Sequence, residues 1–332
     1  MQSDKERAQS IKDHFYSSNL TRADFERENW DTYGYASVEQ FHKKITRLGL
    51  SVVKRSEHFK QTRPSTKIEL IDFNFEEADD FGIEKSIGKE YTSLRITDDF
   101  KKIGILSDIH VPYHSLEALT CAIKHLKEEK INCLILLGDI LDCYSISKHE
   151  KEKDLRDFPR EIEMGRNFLQ KLRDIFPLIP IYYKMGNHEN RFQRYLNEQA
   201  EEFAGLHELQ FEQFFRLDKL NITYVPDWQG IEIADLLLLH GHELMAGGMN
   251  PSQSTFNKTF CNTIIGHVHR TTNTIKKNGF KEFLHTYSMG CLTQLSPKYY
   301  PFAQHNHGMA VVTIENGKTK VDNIVIKDGR IV

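Results

Sequence analysis

The sequence has no long apolar run, no paired cysteines and little net charge, and each absence closes off a class of function. The longest apolar stretch, residues 233–239, is interrupted by Asp235 and falls far short of the about 20 residues a membrane span needs. The opening residues, MQSDKERAQS, are polar and carry no secretory core. Five cysteines (Cys121, Cys133, Cys143, Cys261 and Cys291) are scattered, odd in number and never spaced as Cys-x-x-Cys. That usage suits buried thiols in a reducing compartment, so a cytoplasmic chain without a membrane span is the expectation. A formal charge of −3 gives no overall bias toward nucleic acid and leaves local patches to be judged on their own. Internal repeats and low-complexity tracts are also missing. The 332 residues suffice for one substantial core plus a small accessory module.

Three zones are present. Residues 1–66 pattern as short helices over 3–16, 21–29 and 37–48. Thr21 and Ser37 are N-cap residue types, and Ser37 with Gln40 has capping-box spacing. Val38, Phe41, Ile45 and Leu48 recur at helical intervals, leaving Lys43, Lys44 and Arg47 on other faces. The break at Tyr33-Gly34-Tyr35 gives a helix-turn-helix pattern. Residues 67–100 read as an acidic connector, with Glu76, Glu77, Asp79 and Asp80 clustered and a strand expected at 67–73. From 101 to 332, apolar runs at 103–106, 133–137, 179–183, 235–239 and 262–265 are joined by helical stretches at 116–128 and 157–174. This is the βαβ signature. Near the end, runs at 309–314 and 320–326 flank Asn316-Gly317, and Asp328-Gly329 marks a further turn.

The residues just after each apolar run carry the chemistry. The five sequels are Asp108-Ile109-His110, then Gly138-Asp139 with Asp142, then Gly186-Asn187-His188-Glu189, then His240-Gly241-His242, then Gly266-His267-Val268-His269. Sheets of this class gather ligands at the C-terminal ends of their strands. The glycines before Asp139, Asn187 and His267 are expected where a chain leaving a strand must turn sharply. In Asp108-Ile109-His110 and His267-Val268-His269, alternate residues of extended chain point the same way, so each pair can aim at one centre. A carboxylate can bridge two cations, and imidazole with amide oxygen completes a mixed shell. Such a set suits Mn, Fe, Zn, Co or Ni better than Ca or Mg and lacks the thiolates of structural zinc sites. Any single fragment is weak, since a lone histidine is more often a core or surface residue. Five in this order, each at a strand end, are hard to obtain by chance.

Read together, Asp-x-His, Gly-Asp-x-x-Asp, Gly-Asn-His-Glu, His and Gly-His-x-His resemble the calcineurin-like metallophosphoesterase superfamily over residues 101–332. The resemblance implies an α/β fold, a four-layer αββα sandwich with two mixed sheets face to face, here carrying a small helix-turn-helix-like module in front. It implies two divalent metal cofactors, Mn first among the ions above. Asp108, His110, Asp139 and His269 would hold one ion, and Asp139 would bridge to a second held by Asn187, His240 and His267. His240 is preferred because it follows its strand directly, with His242 as the alternative. His188 would contact phosphate and protonate the leaving oxygen, while Asp142 would orient it and raise its pKa, or else only cap a following helix. The implied reaction is hydrolysis of a phosphate ester by a metal-activated water, with no covalent intermediate.

Departures narrow the subgroup. Protein phosphatases of this superfamily usually follow Gly-Asp-x-x-Asp with Arg-Gly, but Cys143 and Tyr144 stand there. The phosphate-gripping role would fall to Arg191 or Arg194, for which a surface-helix role is an equal reading. Residues 285–312, with Gly290, Pro297, Tyr299-Tyr300-Pro301 and His307-Gly308, resemble the tail of small phosphoesterases common in bacteriophage and prophage genomes. His305 and His307 could border the substrate cleft, although structural roles suit them better.

Substrate is less legible. Lys43, Lys44, Arg47, Lys54, Arg55, Lys60 and Arg63 form a basic stretch that phosphates would attract irrespective of sequence. The first reading is a phosphodiesterase or nuclease acting on DNA or a nucleotide, with residues 1–66 binding DNA. The second is a phosphomonoesterase for a nucleotide or phosphoprotein, its protein version weakened by the missing Arg after Asp142. The third is a DNA-binding protein with a structural esterase domain, against which the intact ligand set argues. The basic helices could equally form a docking or dimerisation domain. Members of the superfamily often dimerise, so a homo-oligomer stays open.

Overall fold

The computed structural model describes residues 4–18, 20, 22–48, 50, 88, 90–97, 99–148, 157–245, 248–279, 282–296 and 302–332. The expected strand at 67–73, the acidic cluster, Thr21, the basic residues from Lys54 to Arg63, and Pro297 with Tyr299-Tyr300-Pro301 lie outside the described residues. The chain divides into two compact units, Met1–Gly88 and Lys89–Val332.

The first unit holds α1 (Asp4–Ser17), α2 (Arg22–Asn29) and α3 (Val38–Arg47). Ser37 caps α3 as its type suggests, its hydroxyl accepting from the Gln40 N–H at 3.3 Å. Ile11, Phe15, Phe25, Phe41, Ile45 and Leu50 share a small core. Phe15 meets Phe25 edge-on at 5.2 Å between ring centroids, and Tyr33 stacks on Phe41 at 5.8 Å. Tyr33 thus belongs to the core of the module as well as to the break between α2 and α3. Lys43 and Arg47 are exposed on α3.

The second unit begins earlier than its motifs suggest. β1 (Thr92–Ile96) falls in the zone read as connector, yet it is an edge strand. Then come β2 (Lys102–Leu106), α4 (Leu116–Glu128), β3 (Cys133–Leu137), α5 (Phe158–Ile175), β4 (Ile181–Lys184), α6 (Asn190–Gln199), β5 (Ile222–Val225), β6 (Gln229–Ile233) and β7 (Leu236–Leu239). The last elements are α7 (Pro251–Thr259), β8 (Thr263–Ile265), β9 (Thr272–Lys277), β10 (Phe283–Ser288), β11 (His307–Glu315), β12 (Lys318–Lys327) and β13 (Arg330–Ile331). They form a seven-stranded sheet in the order β13-β12-β11-β2-β3-β4-β5 and a six-stranded sheet in the order β1-β6-β7-β8-β10-β9.

Strand alternation assembles the layers. In β3, Leu134 and Leu136 enter the core shared with α4, α5 and α6, while Cys133, Ile135 and Leu137 pack against Ile231, Ile233, Leu238 and Ile264 of the other sheet. Each fully buried Leu or Ile contributes about 1.5–3 kcal/mol, so both faces of this central strand are committed to packing. The helices follow their caps. Ser115 accepts from the Ala118 N–H to start α4, and Asp157 accepts from the Arg160 N–H to start α5. With α7 against β8, β9 and β10 on the outside of the six-stranded sheet, the four-layer sandwich is complete. Among the described residues, no helix is long and apolar enough to cross a membrane.

Candidate metal centre

β2, β3 and β4 run parallel in one sheet, and β7 and β8 run parallel in the other. Their C-terminal ends meet at one edge of the sandwich and bring together all seven candidate ligands read from the motifs. Asp108, His110 and His269 form one cluster and Asp139, His240 and His267 another, the ligand atoms of each lying within 4.8 Å of one another. His240 Nε2 stands 3.2 Å from Asp139 Oδ2 and 3.2 Å from Asn187 Oδ1. His269 Nε2 is 3.1 Å from Asp108 Oδ1 and 3.2 Å from His110 Nε2, which is 3.9 Å from Asp139 Oδ2. Asp139 therefore stands between the two groups. His240 rather than His242 joins the cluster; His242 turns to Glu243, with Nδ1 3.4 Å from its Oε2.

The backbone reaches this arrangement differently from expectation. Asp108, His110, Asp139, His267 and His269 all have left-handed φ, between 51° and 64°, so neither two-ligand loop is extended. Non-glycine residues avoid that region, and such a concentration of strain at one point is typical of a functional site. Of the three glycines expected to turn the chain, Gly138 does so at φ +85°, whereas Gly186 and Gly266 serve close approach. A Cβ on Gly186 would meet Asp139 Oδ1 at 2.3 Å, and one on Gly266 would meet Ser107 Oγ at 2.1 Å.

A surrounding shell fixes the donor atoms. The His240 Nδ1–H donates to the Leu137 carbonyl at 2.8 Å, which turns Nε2 inward. Asp142 Oδ1 lies 3.0 Å from His110 Nδ1 and 2.6 Å from His188 Nδ1, so one carboxylate orients two imidazoles. Asp108 accepts from the Ser107 hydroxyl at 2.6 Å and from the His267 N–H at 3.0 and 2.9 Å.

Three neighbours carry more than their motifs reveal. Glu189 is fully buried, and its carboxylate accepts the N–H groups of Asp139, Ile140, Leu141 and Gly186 and the Tyr183 hydroxyl, at 2.6–3.0 Å. It clamps two ligand loops together. Lys184, also fully buried, pairs with Glu243 at 3.0 Å and donates to the carbonyls of Met185, Pro226 and Asp227. Arg191 donates to the Asp142 carbonyl at 2.9 Å and lies 2.9 Å from His188 Nε2, whereas Arg194 is exposed on α6. Glu189 directly precedes α6 but does not cap it, so its position in the sequence gave no signal of this role. His305 borders the cluster, its ring 4.7 Å from that of His269, while His307 is structural and bonds the Thr293 carbonyl at 2.9 Å.

Electrostatics say what the cluster is built to hold. Burial alone would raise Asp139, but the His188 and His240 charges hold it well below the usual carboxylate range. Asp108 is likewise opposed by burial and brought to about 2 by His269, and Asp142 is lowered by its bonds to His110 and His188. On the imidazoles the balance splits. Burial lowers His110 and takes His267 to about 4, while Asp139 overcomes burial to raise His188 and lift His240 to about 10, and Asp108 overcomes it to lift His269 well above the ordinary histidine value. Three buried carboxylates in one pocket demand compensating positive charge. Imidazole nitrogens aimed at one another and at carboxylate oxygens, with no cysteine in either cluster, make an N/O donor set that fits divalent transition metals.

Residues 101–292 match the calcineurin-like phosphoesterase family. The gene 54 protein of Mycobacterium phage L5 is 24% identical over 248 residues, covering 69% of this chain and 95% of that protein. Similar solved structures include the Escherichia coli phosphoesterase YfcE (15% identity, 70% of this chain and 96% of that one, TM-score 0.34). A dimetal phosphatase from Danio rerio matches at 11% identity, over 67% and 95% of the two chains, with a TM-score of 0.33. Vps29 from Entamoeba histolytica, solved with zinc, matches at 13% identity, over 70% and 96%, with a TM-score of 0.35. With the family match spanning more than half its length and the family's ligand motifs gathered at one sheet edge, this chain belongs to the calcineurin-like phosphoesterase family.

Proposed function

We propose that the protein is a two-metal phosphodiesterase acting on DNA or a nucleotide. The observation that carries the reading is the position of Asp139 Oδ2, 3.2 Å from His240 Nε2 within its own group and 3.9 Å from His110 Nε2 of the other. Asp108, His110, Asp139 and His269 would hold one ion, and Asp139, Asn187, His240 and His267 the other. Two divalent ions there would neutralise phosphate oxygens and bring the ionisation of a water near neutral pH.

The chain's own residues handle the proton. The His188 Nδ1–H is held by Asp142 at 2.6 Å, which leaves Nε2 facing Asp139 Oδ2 at 3.8 Å. Arg191 occupies that nitrogen from 2.9 Å. An arriving phosphate offers the guanidinium a stronger acceptor, so Arg191 redirects its hydrogen bond to a phosphate oxygen. The freed Nε2 takes up a proton from solvent, favoured by the Asp139 and Asp142 charges, and gives that proton to the leaving group. Arg191 thereby fills in space the role left vacant after Asp142.

Two features favour a diester of nucleic acid over a phosphoprotein: the absence of Arg after Asp142, and the exposed Lys43 and Arg47 of α3. The Mn-loaded protein should cleave bis-p-nitrophenyl phosphate in preference to p-nitrophenyl phosphate; the reverse preference makes it a monoesterase. In a mobility-shift assay the full chain should retard duplex DNA at low salt, and changing Lys43, Lys44 and Arg47 to Glu should abolish the shift. A shift that survives this triple change would leave the first unit without a DNA role.

A further inference from the structure

A phosphodiester carries two organic groups, and only one of them departs. In a diesterase of this geometry the leaving group lies beside His188, so the retained group needs a berth elsewhere along the centre. Ring contacts run in a row from His188 to His110 at 4.4 Å, from His110 to His269 at 5.1 Å, and from His269 to His305 at 4.7 Å. His305 is thus three ring contacts removed from His188. At the His305 end lies a cavity of about 390 Å³, lined by Gly248, Met249, Val268, Arg270, Gln304 and His305. His305, whose ring is 4.7 Å from that of the candidate ligand His269, lines it together with Val268, the chain neighbour of His269, so the cavity adjoins the cluster.

We propose that this cavity seats the nucleoside of a nucleotide diester whose phosphate lies on the metal centre. The inference rests on the phosphodiesterase reading and names where its substrate is recognised. Size comes first, because the volume falls in the range of small-molecule sites and admits one nucleoside-sized group. The lining comes second. Arg270 offers a planar fork of N–H donors suited to the acceptor edge of a base. It is already braced across the cavity, donating to Gln304 Oε1 at 3.0 Å on one side and to the Gly248 carbonyl on the other. Met249 and Val268 supply apolar contact for a flat ring, and the His305 imidazole supplies a further ring. Met249 is 97% exposed, an unusual setting for a polarisable side chain that adapts to whatever packs on it. A lining with one cation and two apolar side chains suits a base better than a second bare phosphate.

The test compares kcat/KM of the Mn-loaded protein for thymidine 5′-(p-nitrophenyl phosphate) and for bis-p-nitrophenyl phosphate, which release the same chromophore. The nucleoside ester should be preferred by about tenfold or more, the discrimination typical of one good base contact. That preference should shrink several-fold in Arg270→Gln and, separately, in Met249→Ala, a change at an exposed position that leaves folding alone. Equal kcat/KM for both esters in the unaltered protein, or a preference that neither substitution alters, would overturn the proposal. If neither diester is cleaved, the phosphodiesterase reading fails by itself, and calorimetry with thymidine monophosphate judges the cavity. Saturable binding weakened by Met249→Ala would then uphold the berth, and absence of binding would end it.

Discussion

Replacing Glu189 by glutamine isolates what a carboxylate does for the ligand loops. Its Oε1 accepts from Ile140 N at 2.6 Å, Leu141 N at 3.0 Å and the Tyr183 hydroxyl at 2.8 Å, and its Oε2 from Asp139 N at 3.0 Å and Gly186 N at 2.9 Å. Glutamine keeps the shape but has a single acceptor oxygen. In its best orientation that oxygen serves Ile140, Leu141 and Tyr183, and the amide NH2 is turned toward the Asp139 and Gly186 N–H groups. Two buried donors are then left facing a third. At about 1–3 kcal/mol for each unsatisfied buried group, the loss is about 2–6 kcal/mol. Both stranded donors belong to loops that carry candidate ligands, so metal affinity should fall together with stability. Urea denaturation of chelator-treated protein reads the clamp alone, and Mn titration calorimetry reads its effect on the centre. A chelator-treated Glu189→Gln variant within about 0.5 kcal/mol of the unaltered protein, with the same Mn affinity, would refute the reasoning, because that is the scatter of an ordinary surface change.

Lys184→Met strips the buried Glu243 of its partner and should cost about 3–5 kcal/mol in denaturation experiments, while Lys184→Met with Glu243→Gln should recover part of that loss. The pH profile of kcat tests Asp142. Burial lowers the His188 pKa, but the Asp139 and Asp142 charges outweigh it and hold the imidazole above its ordinary value. A general acid is lost as pH rises through its pKa, so His188 sets the alkaline limb. Asp142→Asn removes one raising charge and should move that limb down by about one pH unit in the Mn-loaded protein. An unmoved limb would assign the proton to another group.

Much of the site was legible because its chemistry is written in short strings at predictable strand ends. The runs 103–106 and 133–137 became β2 and β3 with bounds shifted by at most one residue, and Asp108, Asp139, Asn187 and His267 arrived at one edge. β1 was not legible, since its sequence Thr-Ser-Leu-Arg-Ile is largely exposed and stands at a sheet edge beside β6. Its strand character comes from pairing rather than from its own pattern. The left-handed ligand backbones were hidden too: Asp and His tolerate those angles better than most residues, but only the packed loops decide that they adopt them. Glu189 read simply as the end of a motif. Three of its five donors, the N–H groups of Asp139, Ile140 and Leu141, come from a loop 48–50 residues earlier, and one-dimensional spacing does not show such convergence.

Whether the gathered side chains hold a pair of cations decides the chemistry of this centre. Protein stripped with chelator, reloaded with Mn and freed of excess ion should retain about two metal equivalents per chain by elemental analysis, in keeping with a two-metal centre. Asp139→Asn, which keeps the side chain's size but removes the shared charge, should retain one or fewer while its circular dichroism stays unchanged. An unaltered chain that retains no divalent ion, or an Asp139→Asn variant that still binds two, would contradict the two-metal reading.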